Sequence, residues 1–222
     1  MAFLDRYRTP GDLPQRLPVF PLSGALLLPR AELPLNIFEP RYLEMMSDAM
    51  AGDRLIGMIQ PEPDQVKEDR PVLLKVGCAG RISAYAETPD GRLLVTLTGV
   101  SRFAITEELD VDTTYRQVVA DFHPFAVDLV SDLGANEVNR PALLKAFRDY
   151  LNANDMKADW DQVDAASTEV LVNTLSLLAP YPPQEKQALL EAPDLKTRAD
   201  VLVALTEMAL RKMSPGSKTS LQ

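Results

Sequence analysis

Gly216-Ser217-Lys218-Thr219 comes nearest to a phosphate-binding pattern, because a glycine-rich turn followed by Lys and Thr can cradle phosphates with backbone N–H groups. That pattern needs Gly directly before Lys, a strand before the turn and a helix after it. Here Ser217 precedes Lys218 in the polar tail SPGSKTSLQ, so no nucleotide site is expected. Asp155, Asp159, Asp161, Asp164 and Glu169 offer oxygens to calcium, yet the EF-hand spacing demands Gly where Asp164 stands. A solvated loop that opens a helix is the expectation there. The single histidine, His123, and the single cysteine, Cys78, fall short of the three or four ligands of a zinc site. No G-x-S-x-G elbow is present, and Cys78 lies between Gly77 and Ala79 in a strand-like stretch, as a buried and inert thiol would. His123, followed by Pro124, reads as a structural residue at a strand end. Nothing in the spacing selects a Ser with a Lys as general base. The expectation is no catalytic residue, no metal and no cofactor.

The elements that would position any site belong to a chain of 222 residues, 46% apolar and 25% charged, the composition of a globular protein of one large or two compact units. Its net charge of −9 argues against a surface built to neutralise phosphates, so nucleic acid is not the expected ligand. One cysteine forms no internal disulfide, and Asp5, Arg6, Arg8, Asp12 and Arg16 interrupt the place where an export signal would carry its apolar run. No run approaches the roughly 18 apolar residues of a membrane helix. The expected setting is the cytoplasm, with no membrane contact.

Up to about residue 125, short apolar runs broken by Pro and Gly predict strands and turns. Leu93, Val95 and Leu97 alternate after a Pro89-Asp90-Gly91 turn and pair with 81–87 as a hairpin; Gly99 then punctuates the chain before another extended stretch at 103–106, and 115–122 alternates again. One helix interrupts this half near Pro40, with Tyr42, Met45, Met46 and Ala49 as its apolar stripe, and 55–59 follows as a buried strand. After residue 135 the period changes from 2 to 3.6. Leu143, Leu144, Phe147, Tyr150 and Leu151 make one stripe, and Val170, Leu171, Thr174, Leu175 and Leu178 the next. A short helix is predicted over 183–191, and an Asp194 N-cap opens the last one.

Residues 17–46 are rich in Leu and Pro without a helical or strict strand period, so their prolines are expected at strand ends or on a sheet edge. This segment is similar to the opening of the N-terminal domain of Lon proteases and of stand-alone Lon-domain proteins. The resemblance is carried by Leu17-Pro-Val-Phe-Pro-Leu22, Leu28-Pro29, Leu33-Pro-Leu35, Ile37-Phe-Glu-Pro-Arg-Tyr42 and the helix with Met45 and Met46. Ile56-Gly-Met-Ile59, Val76-Gly-Cys-Ala-Gly-Arg-Ile82, Gly99-Val-Ser-Arg-Phe103 and Glu185-Lys-Gln-Ala-Leu-Leu-Glu191 extend it to about residue 212.

The resemblance implies an α+β fold, a PUA-like β pseudo-barrel followed by a C-terminal helical bundle. The expected organisation is an N-terminal extension over 1–16, the barrel over 17–125, the bundle over 126–213 and a disordered tail over 214–222. The resemblance also implies recognition of unfolded or extended polypeptide, with an ATP-dependent protease or chaperone as partner. The ATPase and peptidase modules of Lon would not fit in 222 residues, so a non-catalytic binding or adaptor role is expected, with an RNA reader and a peptidase as alternatives. Pro21, Leu22, Leu26, Leu28 and Pro29 have no obvious inner face and are the candidate polypeptide-binding patch. Arg41 is read as the partner of Glu39 at the helix entry ahead of a ligand anchor, Phe38 and Tyr42 as core, and Arg102 as a strand-face residue.

Overall fold

The computed structural model describes residues 4–65 and 70–213; Gly216–Thr219 and the expected tail over 214–222 lie outside them. Short apolar segments, some alternating and one buried throughout, build six strands: β1 (Arg16–Pro21), β2 (Glu32–Ile37), β3 (Leu55–Ile59), β4 (Val76–Glu87), β5 (Leu93–Glu108) and β6 (Gln117–Asp121). The helices are α1 (Pro40–Ala51), α2 (Arg140–Ala153), α3 (Trp160–Ala165), α4 (Thr168–Leu178), α5 (Pro183–Glu191) and α6 (Leu195–Met213). The strands form one sheet in the order β2-β5-β4-β3-β1-β6, and an additional β5–β6 pairing closes five of them into a barrel with β2 appended at its edge. The expected α+β class and pseudo-barrel are therefore present.

Pro34 lies in this edge strand, where a missing N–H costs no ladder bond, as its sequence context predicts. β1 and β3 run parallel, with Val19 opposite Gly57, and their crossover contains α1, whose Tyr42, Met45, Met46 and Ala49 are all buried. The barrel interior holds Leu17, Val19, Leu55, Ala79, Val100, Phe103, Val118 and Phe122. Phe103 and Phe122 meet there at 6.0 Å between ring centres.

Several expectations need correction. Gly99 does not break the strand: β5 runs through it, because the loop after β1 lies directly across it. Arg30 N–H donates to the Gly99 carbonyl at 2.8 Å and Gly99 N–H to that of Ala31 at 2.9 Å. A Cβ on Gly99 would stand 2.0 Å from the Leu28 carbonyl oxygen, so only glycine lets the two backbones approach. The described part of the expected N-terminal extension, residues 4–16, packs on the barrel, with Tyr7 and Leu13 buried in its cluster. In α4, Val170 and Leu178 are exposed, and the buried side carries Glu169, Val172, Asn173 and Ser176. Periodicity located that helix and the burial of Leu171 but missed part of its buried side, because Glu169, Asn173 and Ser176 are polar residues taken out of water.

The chain divides into two compact units, and neither boundary is a single cut near residue 125. The first combines the barrel, through Ser131, with Asn173–Glu191, so α5 belongs with the strands. There Gln187 Nε2 donates to the Val76 carbonyl at 3.1 Å and Gln60 Nε2 to Gln187 Oε1 at 3.0 Å. The second comprises Asp132–Val172 and the chain from Ala192, where α2 packs on α6. Asn139 caps α2 by accepting from Ala142 N–H, and Asp159 opens α3 by accepting from Asp161 and Gln162, the helix-starting role expected of that acidic loop. Among the described residues no helix is long and apolar enough to cross a membrane.

Candidate functional site

The loop after β1 is held by side chains distant in sequence. Leu22 N–H donates to the Ile59 carbonyl at 2.9 Å, and Gly24 N–H, in a left-handed turn at φ +73°, donates to Gln60 Oε1 at 3.0 Å. Gln60 is itself fixed by donating to the Pro183 carbonyl at 3.1 Å and to Gln187. Beyond Gly24 the chain turns inward. Leu26, Leu28 and Pro29 are buried, which corrects the expectation of an exposed patch running from Pro21 to Pro29. They lack a strand period because they cover β5 at Gly99, not because they face solvent.

Pro21 and Leu22 remain half-buried and line a cavity of about 290 Å³ together with Ser23, Arg41, Tyr42, Pro61, Pro71, Thr114, Tyr115 and Arg116. Its walls are apolar rings and proline faces; its charges are two guanidinium groups. Tyr42 is buried against Phe20 at 4.2 Å between ring centres, and the Arg41 guanidinium lies 4.6 Å over its outer side. Burial pushes the Tyr42 hydroxyl above its ordinary pKa, so it is neutral throughout the physiological range.

Arg116 is locked. Its Nε and Nη2 grip Glu108 at 2.9 and 2.6 Å, and its Nη1 donates to the Pro71 carbonyl at 2.6 Å. The Arg116 hydrogen bond holds the Glu108 carboxyl below the usual glutamate range despite some burial. Tyr115 donates to Asp48 at 2.8 Å; burial first, and then that carboxylate, push its pKa to about 12. Arg41 is less committed. It pairs with Glu39 as expected, but Nε and Nη2 both reach one oxygen, Oε2, at 3.1 and 2.8 Å, with both side chains nearly half exposed.

The other singled-out residues lie elsewhere. Phe38 was expected in the core and is 61% exposed, since it follows the last pairing of β2; an Arg92 guanidinium lies 5.9 Å over its ring. His123 is exposed at the end of β6 with Nδ1 2.9 Å from Asp121, and among the described residues no three metal-ligating groups cluster. Cys78 is buried as expected. Arg102 is the largest miss. It is a fully buried cation whose Nε and Nη2 donate to Asp128 at 2.8 Å each, while Nη1 reaches the Leu190 carbonyl at 3.0 Å. The alternation of β5 marks Arg102 as facing away from the barrel, and no sequence signal names partners 26 and 88 residues away.

The closed barrel with its appended edge strand and integrated short helix thus carries a cavity of apolar walls and two guanidinium groups. The family described as the ATP-dependent protease La (LON) substrate-binding domain matches residues 16–207, and the chain belongs to that family. A Lon protease of Flavobacterium johnsoniae is 26% identical over 209 residues, covering 91% of this chain and 25% of that protein. The chain thus spans about a quarter of the length of the curated relatives it matches. Among solved structures, a Lon N-terminal domain protein from Xanthomonas campestris aligns with a TM-score of 0.61 at 23% identity over 85% of this chain and 97% of that one. The N-terminal domain of a Mycobacterium avium complex Lon protease aligns at 0.59 and 17% identity, over 86% and 98%. Both share the fold.

Proposed function

We propose that this protein is a non-catalytic polypeptide-recognition module of the cytoplasm that admits an apolar side chain of an unfolded or extended chain to the cavity at Pro21 and Leu22 and presents that client to an ATP-dependent protease or chaperone. The observation that carries this reading is the match of the LON substrate-binding family across residues 16–207. The cavity agrees with it chemically, since its walls are Pro21, Leu22, Tyr42, Pro61 and Pro71. Leu26, Leu28 and Pro29, proposed for the same patch on sequence grounds, serve it indirectly by fixing the loop that carries Leu22.

Burying a few hundred Å² of apolar surface yields several kcal/mol at about 25 cal/mol per Å², before ordering costs are subtracted. Affinity for unfolded chains is therefore expected in the micromolar range or weaker. Such binding is nearly independent of salt, whereas neutralising several RNA phosphates would weaken binding by orders of magnitude between about 50 and 200 mM salt. Titrating unfolded casein into the full chain at both salt concentrations tests this. Salt-insensitive binding, without casein cleavage or ATP hydrolysis, is expected. A steep salt slope with RNA, or cleavage that survives repurification, would overturn it.

A further inference from the structure

The cavity at Pro21 and Leu22 combines apolar walls with unspent hydrogen-bond donors that an internal stretch of apolar polypeptide would leave idle. Arg41 directs Nε and Nη2 to Glu39, and its Nη1 has no hydrogen-bond partner among the described residues. The N–H and hydroxyl of Ser23 likewise have none among the described residues. The second lining cation, Arg116, is pinned by Glu108 and Pro71 through three of its five N–H groups, and Thr114 and Tyr115 spend their hydroxyl protons on Glu44 and Asp48. Ser23 and Arg41 thus bring unspent donors to one cavity that also has apolar walls, beside the neutral Tyr42 hydroxyl.

Taking the recognition role as given, we infer that the site selects the C-terminal residue of a polypeptide, with the apolar side chain in the cavity and the terminal carboxylate on Arg41 and Ser23. Charge and size carry this. Both charged groups in the lining are guanidinium ions, which recognise carboxylates through paired N–H donors. A cavity of about 290 Å³ has room for one apolar side chain together with the carboxylate on the same Cα. In an extended chain the residue beside an inserted side chain points to the opposite face, so a neighbouring Asp or Glu would be carried away from Arg41. At a chain end, carboxylate and side chain share one Cα and enter together. Glu39 then acts as the competitor that holds Arg41 in place when the site is empty.

The test uses the full chain and three synthetic peptides: an N-acetylated alanine-rich peptide ending in Leu with a free carboxylate, the same peptide amidated, and an amidated peptide carrying an internal Leu-Asp. Fluorescence anisotropy should show the free acid binding about tenfold more tightly than either amide, the effect of one charge-assisted contact. Arg41→Gln should abolish that preference, so that acid and amide bind alike, and Glu39→Gln should sharpen it. Both side chains are nearly half exposed and their pairing is a surface one, so circular dichroism melting should change by only a few degrees with either substitution. Equal binding of acid and amide, or binding of the Leu-Asp peptide as tight as the acid, would overturn terminal recognition while leaving the polypeptide-binding role standing. Casein binding without any peptide binding would place recognition away from this cavity. Binding of neither would remove the recognition role itself.

Discussion

Phe103 and Arg102 are neighbours on β5, point to opposite faces and are both sealed from water, yet different physics holds each. Phe103 lies in the barrel among Leu17, Val100 and Phe122, where any side chain of similar shape and no charge would be accommodated. Arg102 lies on the outer side in a polar seam, its guanidinium 4.7 Å over Phe125 and bound to Asp128 and to the end of α5. The apolar side is tolerant of composition and intolerant of voids. The polar side tolerates neither a missing partner nor a displaced one, because a lone buried charge is far costlier than a lone methyl group. The sheet therefore packs by volume on one face and by specific pairing on the other.

The sharpest way to break this comparison is to remove each residue. Phe103→Ala should cost about 3–5 kcal/mol in chemical denaturation through its cavity, and Arg102→Met about 3–5 kcal/mol through the stranded Asp128 carboxylate. The difference lies in rescue. Adding Asp128→Leu to Arg102→Met should restore most of the loss, whereas no single polar change should repair Phe103→Ala; equal failure of both would mean that shape, not charge, governs the seam.

A smaller contrast divides the loop that covers β5 from the loop that lines the cavity. Leu28→Ala should cost about 2–5 kcal/mol, since Leu28 is fully buried, while Leu22→Asp should leave the melting temperature nearly unchanged and weaken peptide binding several-fold. Gly99→Ala should cost about 1–3 kcal/mol without touching the cavity, as its new methyl meets the Leu28 backbone; an unchanged denaturation midpoint would show that the loop can lift.

The smallest effect is a titration. Tyr115 has its pKa raised to about 12 in the folded state, against about 10 unfolded, so its contribution to stability is complete below about pH 10 and is lost as pH climbs toward 12. Asp48→Asn should lower that pKa in a near-ultraviolet titration but not return it to the free value, since burial is the larger cause. A complete return would assign the whole shift to the carboxylate.

Much of the fold was legible in the sequence because local rules governed it. The stripe Tyr42, Met45, Met46 and Ala49 is buried as its spacing demands, and the helix at 183–191 begins and ends where its prolines and acidic residues place it. The family signature in 17–46 includes the loop that lines the cavity. Within that loop, Leu22 could not be told from Leu28, since both are leucines without a period and their fates differ only through what covers them. Phe38 illustrates the converse, an aromatic residue whose type predicts burial and whose place after the last pairing of β2 denies it.

The sequence by itself determined the buried strand at 55–59, the hairpin of β4 and β5, the extended stretch of β6 and most of the helices, with the apolar face of many of them. These follow from periods of 2 and 3.6 and from turn chemistry, which act over a few residues. Only the tertiary structure decided that the 26–31 segment closes over Gly99, that α5 joins the barrel, that Arg102 meets Asp128 and Leu190, and that Pro21, Leu22 and Arg41 border one cavity. Those partners are tens of residues apart, and a side chain's hydrogen-bonding capacity says that it must find a partner when buried, not which one the chain's topology will bring.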